Sequence, residues 1–159
     1  MHDGGEIDKN LRLHASSYSL YVLKDSNIGV DGKLSITGLS GKVAAPSGYS
    51  IGGDLQGAGY NVDATASKTA NNFQKLLLGR VGAVAALTLN GNNILSKQKK
   101  YSDKIKVIEM PLVNKPYYLM LSKQFIAQNK ALAEKIWTTI ADIRETKEFK
   151  DKAGEFLAK

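Results

Sequence analysis

Residues 39–83, LSGKVAAPSGYSIGGDLQGAGYNVDATASKTANNFQKLLLGRVGA, constrain the fold more than any other stretch. A short apolar run at 42–45 leads into a turn of small residues at Ser47, Gly48 and Ser50. A second run at 61–64 precedes a segment with Ala70, Phe73, Leu76 and Leu77 on one helical face. Gly79 and Arg80 then introduce a nearly continuous apolar run at 82–89, GAVAALTL. A strand that is apolar at successive positions is buried on both faces, as in a parallel sheet. The order strand, turn, helix, strand, helix, strand predicts an α/β fold, a three-layer α/β/α arrangement around a mixed, mostly parallel five-stranded sheet. The helix after Ser50 is expected to be short, because Gly52, Gly53, Gly57 and Gly59 each weaken it by about 1 kcal/mol against Ala.

The flanks are read from the same signals. Residues 1–15 are polar and expected to be loosely ordered, and 17–23 (SYSLYVL) read as a strand. Residues 25–38 hold Gly29, Asp31 and Gly32 and read as a turn-rich loop. Residues 90–93 read as a polar break, 94–99 as a helical turn, 105–110 and 117–121 as strands. Leu132, Ile136, Ile140 and Ile143 fall on one face of a helix over 129–143, and Phe149, Ala153, Phe156 and Leu157 continue that pattern. The division expected is 1–15, a lobe at 16–115, and a return strand with closing helices at 116–159.

Composition excludes several classes of chemistry. The chain has 159 residues, enough for one ordinary domain with a substantial core, and no cysteine, so disulfides, thiolate nucleophiles and cysteine metal sites are ruled out. Its two histidines, His2 and His14, lie near the N-terminus with no second ligand at metal spacing. No nucleophile-elbow motif is present, and the glycines at 52–59 do not match a dinucleotide fingerprint. No enzyme, cofactor or metal site is expected. No run is long and apolar enough to span a membrane, and the N-terminal MHDGGEIDKN lacks the apolar core of a signal peptide. The net charge of +7 is carried by lysines spread along the chain, with the densest run at 97–100, so no nucleic-acid partner is expected.

The turn Ser47–Gly48–Tyr49–Ser50 is the best candidate site. Glycine lets the backbone approach a ligand, and N–H groups at a helix start, with the hydroxyls of Ser47 and Ser50, suit an anion such as a carboxylate. The same residues would equally serve as an N-cap that satisfies its own helix.

Taken together, Leu39, Gly41, Lys42, Val43, Gly48, Ser50, Ala58, Gly59, Ser67, Leu76, Leu77, Gly79, Arg80, Ala83 and Val84 resemble, in order and spacing, the second lobe of bacterial extracellular solute-binding proteins of family 3, with the type-2 periplasmic binding fold. The segments SSYSLYVLKDS and IKVIEMPLVNKPYYLMLSK resemble that family's two crossing strands, and the resemblance extends over 16–157. It implies a periplasmic or extracellular solute-binding component of an ABC-type uptake system, partnered by a small-molecule solute and an ABC permease. It also implies ligand contact at Ser47, Gly48, Tyr49 and Ser50, and at Leu87 and Thr88. Amino-acid binders of the family commonly carry an aspartate where Leu87 stands, and another where Gly82 stands, so an ordinary α-amino acid is not the ligand expected. Arg80 is implied to be structural. A sensory or regulatory ligand-binding domain of the same fold is the alternative. The family's first lobe has no counterpart here, so the chain is expected to be a fragment or a one-lobe protein, with a homodimer through the C-terminal helices covering their apolar face.

Overall fold

A computed structural model describes residues 8–157. The chain divides into two compact units, residues 17–114 and residues 1–16 with 115–159. The division falls inside strands β1 (His14–Leu23) and β8 (Val113–Tyr117).

In the first of these units, a sheet runs in the order β5 (Val62–Asp63), β4 (Val43–Ala44), β6 (Ala83–Leu87), β1, β7 (Ile105–Val107), with β8 also paired to β1. β5, β4 and β6 are mutually parallel; β1 is antiparallel to both β6 and β7, so four strands of the path share one direction. This is the mixed sheet expected from the strand–helix alternation. Successive residues of each strand point to opposite faces. Val43, Ala83, Ala85 and Leu20 thus join Ile51 and Leu55 of helix α1 (Ser50–Gly57) in one core. Ala44, Val84, Ala86 and Tyr21 join Phe73 and Leu76 of α2 (Thr69–Leu77), with Tyr101 of α4 (Lys99–Ser102), in the other. β6 lies between β4 and β1 and is fully buried over 83–86.

Three local expectations are corrected in this unit. The strand expected over 82–89 ends at Leu87, and Thr88 and Leu89 open helix α3 (Thr88–Lys97). The polar residues 90–93 are therefore inside a helix; Tyr21 holds it there, its hydroxyl 2.9 Å from both Thr88 O and Asn92 Oδ1. The loop expected over 25–38 contains a hairpin, β2 (Gly29–Gly32) and β3 (Ser35–Thr37), with a bulge near Asp31 and Leu34 at φ 55° in its turn. Ile36 N–H donates to the Tyr60 hydroxyl at 2.7 Å, a long-range bond that local turn signals do not reveal.

In the other unit the strand expected over 117–121 is displaced to β8, and 118–121 have no regular structure. Residues 1–7 of the expected loose segment lie outside the described residues; beyond them, Asp8 caps a short 3-10 helix at Lys9–Leu11. The predicted C-terminal helix is α6 (Lys130–Glu145), between α5 (Lys123–Gln128) and α7 (Lys147–Leu157). Its apolar stripe is only partly covered. Ile136 and Ile140 are half-buried, whereas Leu132 is 49% and Ile143 52% exposed. Arg144 anchors the N-terminal segment by donating to Asn10 O at 3.1 Å and to Arg12 O. A cavity of about 180 Å³ is lined by Leu11, Leu119, Met120, Leu121, Ile126 and Trp137, whose indole N–H donates to Leu119 O at 3.0 Å.

Candidate functional site

β4 and β5 are each followed by a loop and then a helix, and β6 passes directly into α3, so the starts of α1, α2 and α3 lie at one edge of the sheet, beyond the carboxyl ends of the parallel strands. In open α/β sheets this edge is where ligands bind.

Beyond β4 the chain turns at Pro46–Tyr49, closed by Tyr49 N–H donating to Pro46 O at 3.3 Å. Gly48 is the third residue of this turn at φ 82°, the conformation a type II turn demands there. A Cβ at Gly48 would meet nothing within 4 Å, so the torsion and not crowding selects glycine. Ser47, Gly48, Tyr49 and Ser50 are all exposed. Tyr49 is the N-cap of α1 and makes no side-chain cap bond. Ser47 N–H donates to Ala66 O at 3.0 Å, so this amide and that of Tyr49 are engaged within the fold. An anion cradle made of every amide of the turn is thus not what the chain builds.

Leu87 ends β6 half-buried against the α1-side core, and Thr88 opens α3. The Thr88 hydroxyl donates to Ser17 O at 3.0 Å and lies 2.7 Å from Ser19 Oγ, which must then be the donor of that second bond. Thr88 therefore fastens α3 to β1, and its hydroxyl is not open to the edge. Gly82 stands at the far end of β6, where a Cβ would lie 2.9 Å from Leu39 Cδ1 and 3.0 Å from Ser40 O. Packing leaves no room for a carboxylate there.

A cluster missed in the sequence sits beyond β5. Asp63 Oδ1 accepts from Thr65 N–H (3.1 Å), Thr65 Oγ1 (2.7 Å) and Lys75 Nζ (2.8 Å). The Lys75 ammonium, then the Thr65 hydroxyl, draw the Asp63 pKa down to about 2. The D-x-T spacing is a recognisable Asx-turn signal; its ammonium partner, on the last turn of α2, is not visible from spacing. Nearby, Asn72 Nδ2 donates to Ala66 O at 3.3 Å, and Asn90 Nδ2 to Thr69 Oγ1 at 3.2 Å. The loops after β4 and β5 and the start of α3 are thereby hydrogen-bonded to one another or to a neighbouring helix.

The electrostatics of this edge have one sign. None of α1, α2 and α3 carries an acidic residue in its first turn, and their N-caps, Tyr49, Lys68 and Leu87, make no side-chain cap bond. No first-turn acid and no side-chain cap answers the positive ends of these three helix dipoles. Asp63, the acid of these loops, is neutralised by Lys75. The arrangement favours neutral polar or anionic groups over an ammonium. Among the described residues no cluster of His, Cys, Asp or Glu could hold a metal ion.

No protein-family model matches the sequence, and no curated protein matches it. Solved structures do. A mutant of the arginine-binding protein ArgBP from T. maritima superposes with a TM-score of 0.64 at 15% identity, covering 93% of this chain and 60% of that one. An arginine transport-system periplasmic binding protein from Legionella pneumophila gives 0.61 at 15%, covering 91% and 63%. The GluR0 ligand-binding core from Nostoc punctiforme, in complex with L-glutamate, gives 0.54 at 17%, covering 83% and 62%. The chain therefore has the type-2 periplasmic binding fold, and it spans about 60% of the length of the ArgBP structure. These neighbours are binding proteins and a ligand-binding core, not enzymes.

Proposed function

We propose that this chain is the second lobe and closing segment of a solute-binding component of an ABC-type uptake system, acting in the periplasm or outside the cell. The lobe is 16–115, with the return strand β8 at its end, and 116–159 supply the closing helices. The observation that carries the reading is the convergence of the Ser47–Ser50 turn and the β6–α3 junction on one sheet edge, in a fold shared with arginine-binding proteins. A small polar solute rests against Ser47, Gly48 and Ser50, with Tyr49 as a wall and Leu87 as an apolar floor. Thr88 contributes by holding α3 in place. The rest of the binding surface comes from a second lobe that closes over the solute by a hinge motion, and the closed form is delivered to a permease.

With leucine at position 87, an ammonium would find no counter-charge there, and burying it unpaired is costly. The solute is thus a neutral polar or carboxylate-bearing molecule, and ordinary α-amino acids bind weakly or not at all. The test is an NMR titration of the labelled chain with dicarboxylates, neutral sugars and zwitterionic amino acids at millimolar concentration. Shifts confined to 46–50 and 87–90 with the first two classes support the reading. Shifts elsewhere, or none with any class, overturn it. A second reading, a sensory ligand-binding domain, is favoured by the likeness to the GluR0 core. The complete reading frame separates the two: a membrane anchor with a signalling domain would mark the sensor.

A further inference from the structure

The sheet end opposite the candidate solute edge carries a second feature. β1 is antiparallel to β6, so β1 finishes where β6 begins, and β7 starts beside it with Leu23 opposite Ile105. Lys24 N–H donates to Lys104 O at 2.9 Å, which sets two lysines opposite one another, just past β1 and just before β7. Like charges in that relation are destabilising. Lys104 N–H in turn donates to Tyr101 O, and Tyr101 N–H to Gln98 O, bringing α4 with Lys99 and Lys100 to the same end, next to Lys97 at the close of α3. Lys106 joins them, its ammonium donating to Lys24 O and Ser26 O at 3.0 and 3.1 Å. Six lysines face two acids there, Asp25 and Asp103. Among the described residues, Lys24, Lys97, Lys99, Lys100 and Lys104 form no salt bridge. The negative end of the α3 dipole accounts for Lys97 alone. A fold that keeps the remaining repulsion departs from local consistency, and such departures collect at functional surfaces.

We propose that this end of the unit is a docking surface for an anionic lipid bilayer. The residue types argue against other acidic partners. Single-stranded nucleic acid is held on exposed aromatic platforms, but Tyr101 is 3% exposed, its hydroxyl donating to Ala70 O and its ring beneath Lys100 at 4.7 Å. The six cations gathered here are all lysines, not arginine, the side chain that reads phosphate and carboxylate bidentately; Arg80, exposed just before β6, adds one more positive charge at this sheet end. Protein interfaces are anchored by aromatic side chains such as Trp and Tyr, and among the described residues no exposed Trp or Tyr lies among these lysines. Lysine ammoniums around a sheet end fit a diffuse sheet of headgroup charge, which asks for neither stacking nor bidentate geometry. Docked this way, the unit turns its three helix N-termini away from the bilayer.

Co-sedimentation with phosphatidylcholine vesicles, with and without phosphatidylglycerol, tests the proposal. The chain should partition onto the mixed vesicles only and be released by high salt. The triple variant Lys97→Gln, Lys99→Gln, Lys104→Gln should lower that partition roughly a hundredfold, about fivefold per lysine. A control, Lys147→Gln, Lys150→Gln, Lys152→Gln, removes the same charge from α7 and should leave it within about twofold. Circular dichroism confirms that both variants fold. Equal loss in the two variants would assign binding to net charge and overturn the patch. Equal binding to neutral vesicles, or tighter binding to duplex DNA at the same phosphate concentration, would overturn it as well.

Discussion

Replacing Gly91 by alanine places a methyl group where Tyr21 already stands. The new Cβ would lie 2.2 Å from Tyr21 Cζ, 2.3 Å from its hydroxyl oxygen and 2.6 Å from Cε2. Tyr21 has nowhere to go. It is fully buried, packs on Phe73 at 5.1 Å between ring centres, and belongs to a strand paired on both sides, to Val84 and to Val107. Burial also pushes its pKa up, so the phenol stays protonated and hydrogen-bonded to α3. Overpacking costs about 1–3 kcal/mol. Displacing the ring also loosens a buried hydroxyl contact, for about 1 kcal/mol more. Helix propensity returns about 1 kcal/mol. The expected net loss is about 1–3 kcal/mol, a large share of the roughly 5–15 kcal/mol of a typical domain. Gly53→Ala in α1 is the matched control, because its Cβ meets nothing within 4 Å; it should stabilise by about 0.5–1 kcal/mol. Urea denaturation followed by far-UV circular dichroism measures both. In a double-mutant cycle with Tyr21→Leu, the Gly91→Ala penalty should largely vanish. An undiminished penalty, or a Gly91→Ala protein as stable as the parent, would refute the packing argument.

Three further outcomes are expected. Asp63 has a lowered pKa, so its contribution is present above the ordinary carboxylate range and is lost as pH falls from about 4 through about 2; Lys75→Met should cost about 1 kcal/mol or less at neutral pH, and the urea midpoints of variant and parent should converge at pH values below the Asp63 pKa. Gly48→Ala should destabilise by about 1–2 kcal/mol through its φ of 82° alone, with Gly48→Asn milder, by the same denaturation assay. The exposed Leu132, Ile143 and Phe149 lead us to expect self-association through α6 and α7, so light scattering at micromolar concentration should show a dimer; a monodisperse monomer would remove that expectation.

Much of the sheet was legible because its signals are local. The apolar run ending at Leu87 and the Phe73, Leu76, Leu77 spacing identify a buried strand and an amphipathic helix without any tertiary knowledge. The junctions were not legible for the opposite reason. Thr88 and Leu89 continue an apolar pattern, and the bonds that hold the helix start there come from Ser17, Ser19 and Tyr21, far back in the chain. The hairpin at 29–37 was hidden behind Gly29, Asp31 and Gly32, which signal turns whether or not strands flank them. At the candidate site, the exposed small-residue turn was readable from composition. The engagement of the Ser47 amide by Ala66 and of Asp63 by Lys75 was not, because both depend on which loops the sheet brings side by side.

The cross-bonding of those loops has a consequence for how any guest is received. Ser47 to Ala66, Asn72 to Ala66, Asn90 to Thr69 and Thr88 to β1 leave both loops and the start of α3 braced by bonds outside themselves. Such a surface is a template rather than a glove: its contour exists before contact, and little conformational freedom remains to be surrendered on arrival. Discrimination then falls to the short side chains that line it. Exchanging one of these would retune selectivity while the contour survives, whereas cutting a brace would blur recognition of every guest at once.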